Sequence, residues 1–306
     1  MSFDRLQDKI DALGNPSVCG LDPLPEHIPP GVMQSHIAEK GETPEAAADA
    51  YFEFNRGLID ALYDIVPAVK PQSAFYELLG PRGAEALKRT AEYARSRGMY
   101  VILDAKRGDI GSTAQAYSEA YLGAVRIGAS EYAPYNFDAI TVNAYLGSDG
   151  VVPFLETANR NDKAVFVLAK TSNPSSGELQ DIDIGGGRRV YTAVGDMAAA
   201  LSSDSVGRRG FGRAGIVAGA TYPAELRILR ERLPHTFFLV PGYGAQGGGA
   251  GDVAGAFLRG GGAIVNSSRA IICAWKKTGA GGADYAEAAR REALCMRGEL
   301  RAAVMD

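Results

Sequence analysis

Histidine and cysteine are scarce in this chain of 306 residues, with three of each. His27, His36 and His235 neighbour neither a cysteine nor a carboxylate at ligand spacing, which argues against a zinc site. A magnesium site built on carboxylates is left open by that reasoning. Cys19, Cys273 and Cys295 are odd in number and widely spaced, with no CxxC, a pattern that suits a reducing cytosol. No apolar run reaches membrane-spanning length. The N-terminus is charged from Asp4 onward and lacks the apolar core of a signal peptide. The expected location is the cytoplasm, with no membrane partner. An excess of positive charge is also missing. Thirty-two Lys and Arg stand against 36 Asp and Glu, a net charge of -4, so nothing favours nucleic acid as a partner.

What remains is ordinary globular composition, 46% hydrophobic and 22% charged. Eight short apolar runs read as strands, at 17–22, 68–74, 100–106, 139–145, 163–170, 215–221, 237–242 and 262–268. Most are continuously apolar, as expected for parallel strands covered on both faces. Helical spacing of apolar residues falls between them, at 46–65, 81–97, 112–127, 223–232 and 253–259. Eight such units predict an α/β fold, a single (β/α)8 TIM barrel over residues 1–306, since no composition break marks a domain boundary. An open doubly wound sheet would want a glycine-rich turn after the first strand, and Gly20-Leu21-Asp22-Pro23 does not resemble one. Two segments exceed what a minimal barrel needs and read as extended loops: 23–43 after strand one and 173–213 after strand five.

The most informative run is Leu103-Asp104-Ala105-Lys106-Arg107-Gly108-Asp109-Ile110-Gly111-Ser112-Thr113. In a strand, side chains at i and i+2 share a face, so Asp104 and Lys106 point the same way. Asp109 adds a second carboxylate from the turn. An ammonium between two carboxylates stays protonated. It makes a poor Schiff-base former and a good proton donor or electrostatic clamp. An isolated Asp-x-Lys is more often a structural ion pair. Here seven of the eight strand ends are polar, and a barrel builds its site at those ends. Asp22, Lys70, the Asp104–Lys106 pair, Lys170-Thr171-Ser172-Asn173 and Thr221 mark the first, second, third, fifth and sixth. The seventh ends in Pro241-Gly242-Tyr243-Gly244-Ala245-Gln246, and the eighth in Asn266-Ser267-Ser268-Arg269. The loops after strands seven and eight are the usual barrel phosphate site. Glycines there leave N–H groups open to an anion, and Arg269 supplies a bidentate fork. The expected ligand is a phosphorylated small molecule reaching from Arg269 to Asp104 and Lys106.

With these residues together, the chain resembles orotidine 5'-phosphate decarboxylase, most closely the longer bacterial branch of that family. The resemblance rests on Gly20-Leu21-Asp22-Pro23, the segment from Val69 to Glu77, the DxKxxDIGxT pattern from Asp104 to Thr113, the PGxGAQGG pattern from Pro241, and Ser268-Arg269. It implies decarboxylation of orotidylate to uridylate with no cofactor and no metal. Lys70, Asp104, Lys106 and Asp109 would form the charged array. Asp109 and Thr113 would cross into a neighbouring subunit's site, which implies a homodimer with shared sites. Asp22 and Lys70 would hold ribose hydroxyls, and Ser172 would bond the pyrimidine. Gln246 and Arg269, with Ser268 beside them, would grip the phosphate, and Pro241 would line the base pocket. Asn143 is a further contact to consider on strand four.

Loss of CO2 from C6 leaves an in-plane carbanion without a good delocalising neighbour. A fixed cation at C6 is the direct remedy, and Lys106 is the candidate for that cation and for the replacing proton. Two other readings exist: a Mg²⁺-dependent sugar-phosphate enzyme of the same superfamily, and a catalytically silent nucleotide-binding barrel.

Overall fold

The computed structural model describes residues 1–244 and 247–304. The sheet is a closed barrel of parallel strands. In chain order these are β1 (Ser17–Leu21), β2 (Ala68–Pro71), β3 (Tyr100–Arg107), β4 (Ala139–Val142), β5 (Ala164–Lys170), β6 (Ala214–Ala218), β7 (Phe238–Val240) and β8 (Ala263–Ser267). Each pairs with its sequence neighbours, and β8 closes on β1. Their β-branched and aromatic content suits strands buried on both faces. The predicted (β/α)8 architecture is therefore the observed one.

Inward side chains of such a barrel stack in layers of four from alternate strands. The strand registers place Val18, Ile102, Phe166 and Leu239 in a lower layer, all buried and apolar. Above it come Lys70, Thr141, Val217 and Asn266 from the even strands. Gly20, Asp104, Leu168 and Pro241 follow from the odd strands and their ends. The barrel changes from apolar plug to polar site within one layer. Its bottom is sealed by the N-terminal helix Ser2–Leu13. Phe3 packs there on Phe237 and Phe166, at ring-centroid distances of 4.9 and 5.0 Å.

The helix expected at 223–232 is Pro223–Arg232. That expected at 46–65 is Pro44–Leu62, capped by the Thr43 side chain, which accepts from the Ala46 N–H at 3.2 Å. Other boundaries differ. The helix expected at 112–127 stops at Leu122, and Val125–Ile127 instead pairs with Ser130–Tyr132 in an exposed hairpin. The one expected at 253–259 shortens to Ala250–Val253 and a 3-10 turn over Ala254–Ala256. The segment 23–43 contains a helix, Pro30–Lys40, with no buried residue, so no apolar stripe announces it. The segment 173–213 is only partly loop. It holds a small hairpin, Asp183–Gly185 with Arg188–Arg189, and then the barrel helix Val190–Leu201.

Candidate active site

The mouth of the barrel opens into a cavity of about 960 Å³. Its charged centre is one carboxylate between two ammonium groups. Lys70 Nζ donates to Asp104 Oδ2 at 2.8 Å, and Lys106 Nζ donates to Asp104 Oδ1 at 2.6 Å. The Thr141 hydroxyl donates to the same Oδ1 at 2.9 Å. Burial opposes ionisation of Asp104, but Lys70 and Lys106 override it and hold its carboxyl well below the usual carboxylate range. Burial likewise works against the Lys70 ammonium, and Asp104 with Asp22 outweighs it, so Lys70 stays charged beyond the ordinary lysine range. Lys70 is buried, whereas the Lys106 side chain is 45% exposed and reaches up into the cavity.

Lys106 does not sit in a regular strand. Its φ is +49°, in the left-handed region that non-glycine residues seldom enter. The β3–β4 register shifts between Leu103 and Arg107. Thr141 Oγ1 takes over the lost ladder contacts, accepting from the N–H groups of Ala105 at 3.0 Å and Lys106 at 2.9 Å. One hydroxyl thus holds the bulge and the carboxylate together. Backbone strain of this kind concentrates at functional sites. Thr141 was not among the expected site residues. Its signal was a lone hydroxyl at an inward position of an otherwise apolar strand.

The expected pairing of Lys106 with two carboxylates is not what the chain forms. Asp109 turns away, and its Oδ1 accepts from the Ile110 N–H at 2.8 Å. Among the described residues Lys106 meets only Asp104. Thr113 is exposed on the helix Gly111–Leu122, and neither Asp109 nor Thr113 lines the cavity. Asn143 is also outside it. Its side-chain oxygen accepts from the Tyr145 N–H at 2.9 Å, an Asx turn.

The cavity brings together Asp22, Lys70, Asp104, Lys106, Ser172 and Pro241, and with them Ser268 and Arg269. Among the described residues Asp22 Oδ1 is buried with no hydrogen-bond partner. In the loop after β5, Thr171 Oγ1 is occupied: it donates to Asn173 Oδ1 and accepts from Gln180 Nε2, both at 2.7 Å. Among the described residues the Ser172 hydroxyl has no partner, while Thr221 Oγ1 donates to the Ser172 carbonyl at 3.1 Å. Lys170, a polar strand end in sequence, is buried. Its ammonium donates to Asp181 at 2.8 and 2.9 Å and to Ser176 at 3.1 Å, which ties down that loop.

On the phosphate side, Arg269 is exposed and has no carboxylate partner among the described residues. The glycine loop is less open than expected. The N–H groups of Gly244, Gly247 and Gly248 bond to carbonyls of the loop itself, because the chain folds back on Gly242. The free cationic fork of Arg269 is the stronger anion feature. Gln246 lies outside the described residues. Also among the described residues, no three His, Cys, Asp or Glu side chains gather to hold a metal, and no helix is long and apolar enough to cross a membrane.

Comparison with known proteins follows the same lines. A family model described as Orotidine 5'-phosphate decarboxylase / HUMPS family matches residues 49–282. The orotidine 5'-phosphate decarboxylase of Rhodopirellula baltica is 42% identical over 302 residues, covering 97% of this chain and 98% of the relative. A solved structure of Leishmania donovani OMP decarboxylase superposes with a TM-score of 0.71 at 32% identity, over 97% of this chain and 98% of that one. In Leishmania donovani UMP synthase the match is 34% identical, with a TM-score of 0.73. It takes in 96% of this chain but only 56% of that longer one.

Proposed function

The chain belongs to the orotidine 5'-phosphate decarboxylase / HUMPS family, and from that premise we propose how its cavity converts orotidylate to uridylate and CO2. It is a carboxy-lyase acting on the pyrimidine pathway. The observation that carries the mechanism is the Asp104 carboxylate clasped by Lys70 and Lys106 beneath a cavity rimmed by Arg269.

The C6–carboxylate bond breaks heterolytically and leaves its electron pair on C6. The Lys106 ammonium, fixed by Asp104, meets that charge and supplies the proton that replaces CO2. Solvent then returns a proton to the lysine. No electron sink and no metal take part. Asp22, with its unpartnered oxygen, and Lys70 bind the ribose hydroxyls. Ser172, whose hydroxyl has no partner among the described residues where that of Thr171 does, bonds the pyrimidine, and Pro241 flanks the base. Arg269 and Ser268 take the phosphate, with Gln246. Phosphate binding far from the reacting carbon supplies energy used at the ring.

Two copies complete the site. Asp109 and Thr113 face away from their own cavity. Exposed apolar side chains stand nearby on the loops after β2, β3 and β4, among them Leu78, Ile110 and Tyr145. Exposed apolar side chains of this kind suit a protein–protein interface. Asp109 of one protomer then reaches its partner's site, as a cytoplasmic homodimer requires.

The test is a spectrophotometric assay of orotidylate loss with and without EDTA. Turnover that survives exhaustive chelation is the expected result. Loss of activity on chelation replaces this reading with the Mg²⁺-dependent one, and binding without turnover replaces it with the silent barrel. Sedimentation of the purified protein as a monomer at assay concentrations would remove the shared site.

A further inference from the structure

Asn266 is a polar side chain of the cavity that has no role in that scheme. Asn266 sits on β8 in the inward layer that also holds Lys70, Thr141 and Val217. Among the described residues its Oδ1 is buried with no hydrogen-bond partner, and so is one other acceptor of the cavity, Asp22 Oδ1. An acceptor left so in a cleft costs free energy unless a ligand or water donates to it.

The barrel order says which part of the nucleotide passes over it. Strands β8, β1, β2 and β3 are successive neighbours. Arg269 follows β8, and the Asp104–Lys106 pair ends β3. A nucleotide with its phosphate at one and its reacting carbon at the other lays its sugar across β8, β1 and β2. The polar groups on that arc include Asn266, Asp22 and Lys70. Between Asn266 and Lys70 the next layer is contributed by Gly20, which has no side chain. A Cβ built there would lie 2.6 Å from Ser268 Cβ. The missing side chain makes room for Ser268, and Asn266 lines the cavity from the layer below. A ribose diol offers two O–H donors. Asp22 Oδ1 and Asn266 Oδ1 are two acceptors without donors, and the Lys70 ammonium, which gives one bond to Asp104, has further N–H groups to offer.

We propose that Asn266 is a substrate contact that accepts a hydrogen bond from a ribose hydroxyl, and so a determinant of selectivity for ribo- over deoxyribonucleotide. This rests on the decarboxylase reading above. Asn266→Leu keeps the size of the side chain and removes the acceptor. Its kcat/KM is compared with that of the parent on orotidylate and on its 2'-deoxy and 3'-deoxy analogues. The expected result is a loss of about tenfold on orotidylate, the size of one hydrogen bond, that largely disappears on one of the two deoxy substrates. An equal loss on all three substrates, or no loss on any, overturns the proposal.

Calorimetric binding of uridylate and its two deoxy forms makes the same comparison without turnover. It therefore decides the role of Asn266 even if the parent protein proves inactive, an outcome that would count against the decarboxylase reading alone. Asn266→Gln guards against misfolding. A parental unfolding midpoint with discrimination retained in the glutamine variant supports the contact, and discrimination retained in the leucine variant refutes it.

Discussion

Replacing Asp104 by asparagine removes the charge but keeps the shape, and the structure says what should follow. Two ammonium groups lose their shared carboxylate. A unit-charge pair at about 4 Å is worth roughly 4 kcal/mol at an effective dielectric of about 20. The Lys70 pair is buried and counts nearly in full. The Lys106 pair is 45% exposed on the lysine side and counts for less. Relief of Asp104 desolvation offsets part of the loss. Breaking a buried pair from one side therefore destabilises by about 3–5 kcal/mol. In a domain of this size that lowers the unfolding midpoint on the order of 10 °C.

The pH dependence makes the prediction sharper. In the parent, the folded-state pKa of Asp104 is lowered, so its contribution is present above the ordinary carboxylate range and lost only as pH falls through the folded value. That of Lys70 is raised, so its contribution is present below the ordinary lysine range and lost as pH rises through the folded value. The pair is therefore indifferent to pH across the neutral range. In Asp104→Asn the buried Lys70 keeps only Asp22 as a neighbouring carboxylate, and burial pushes its pKa down. The folded variant then sheds a proton that the unfolded chain keeps, and its stability rises with pH. Thermal unfolding from pH 6.5 to 9.5 should show the gap between parent and variant narrowing at the alkaline end. A gap that is constant with pH, or below about 1 kcal/mol, refutes the idea that Lys70 depends on this carboxylate.

Lys106→Ala should abolish nearly all turnover yet still bind uridylate in a calorimeter, and near-parental turnover would remove Lys106 from the mechanism. Arg269→Ala loses charge-assisted bonds worth about 1.5–3 kcal/mol, so affinity for uridylate should fall on the order of 10- to 100-fold while affinity for uridine hardly changes. Unchanged uridylate affinity would move the phosphate site. Thr141→Val orphans the N–H groups of Ala105 and Lys106 and removes one of the two donors to Asp104 Oδ1. Its kcat should drop far more than KM rises, with Thr141→Ser restoring most of it; a valine variant with parental kcat would show that the bulge holds itself.

Much of the barrel was legible because burial on both faces leaves a plain mark. Runs such as Tyr100-Val101-Ile102-Leu103 have no other economical reading. The elements that escaped lack that mark. Pro30–Lys40 buries nothing, and the hairpin Val125–Ile127 with Ser130–Tyr132 is exposed throughout, so neither shows an apolar period. The site was legible as far as charge goes. Asp104 and Lys106 do share a face, although by a bulge and a left-handed Lys106 rather than by the regular alternation from which their common face was expected. The direction of Asp109 was not readable, because a turn residue's side chain is set by its own local hydrogen bonds. Here its carboxylate accepts from the Ile110 N–H.

Register explains the remaining gap. Thr141 and Asn266 are single polar residues in apolar strands, and sequence cannot say whether such a residue is a tolerated core member or part of a site. Inward parity is not enough. Thr141 becomes significant because the β3–β4 register sets it against Asp104, and Asn266 because the β8–β1–β2 register levels it with Lys70. The layer they share closes the apolar plug and also floors the cavity. A substitution there must satisfy packing from below and hydrogen bonding from above. The two demands separate experimentally: apolar isosteres such as valine at 141 or leucine at 266 meet the first and fail the second, so they should leave the barrel folded and the chemistry impaired.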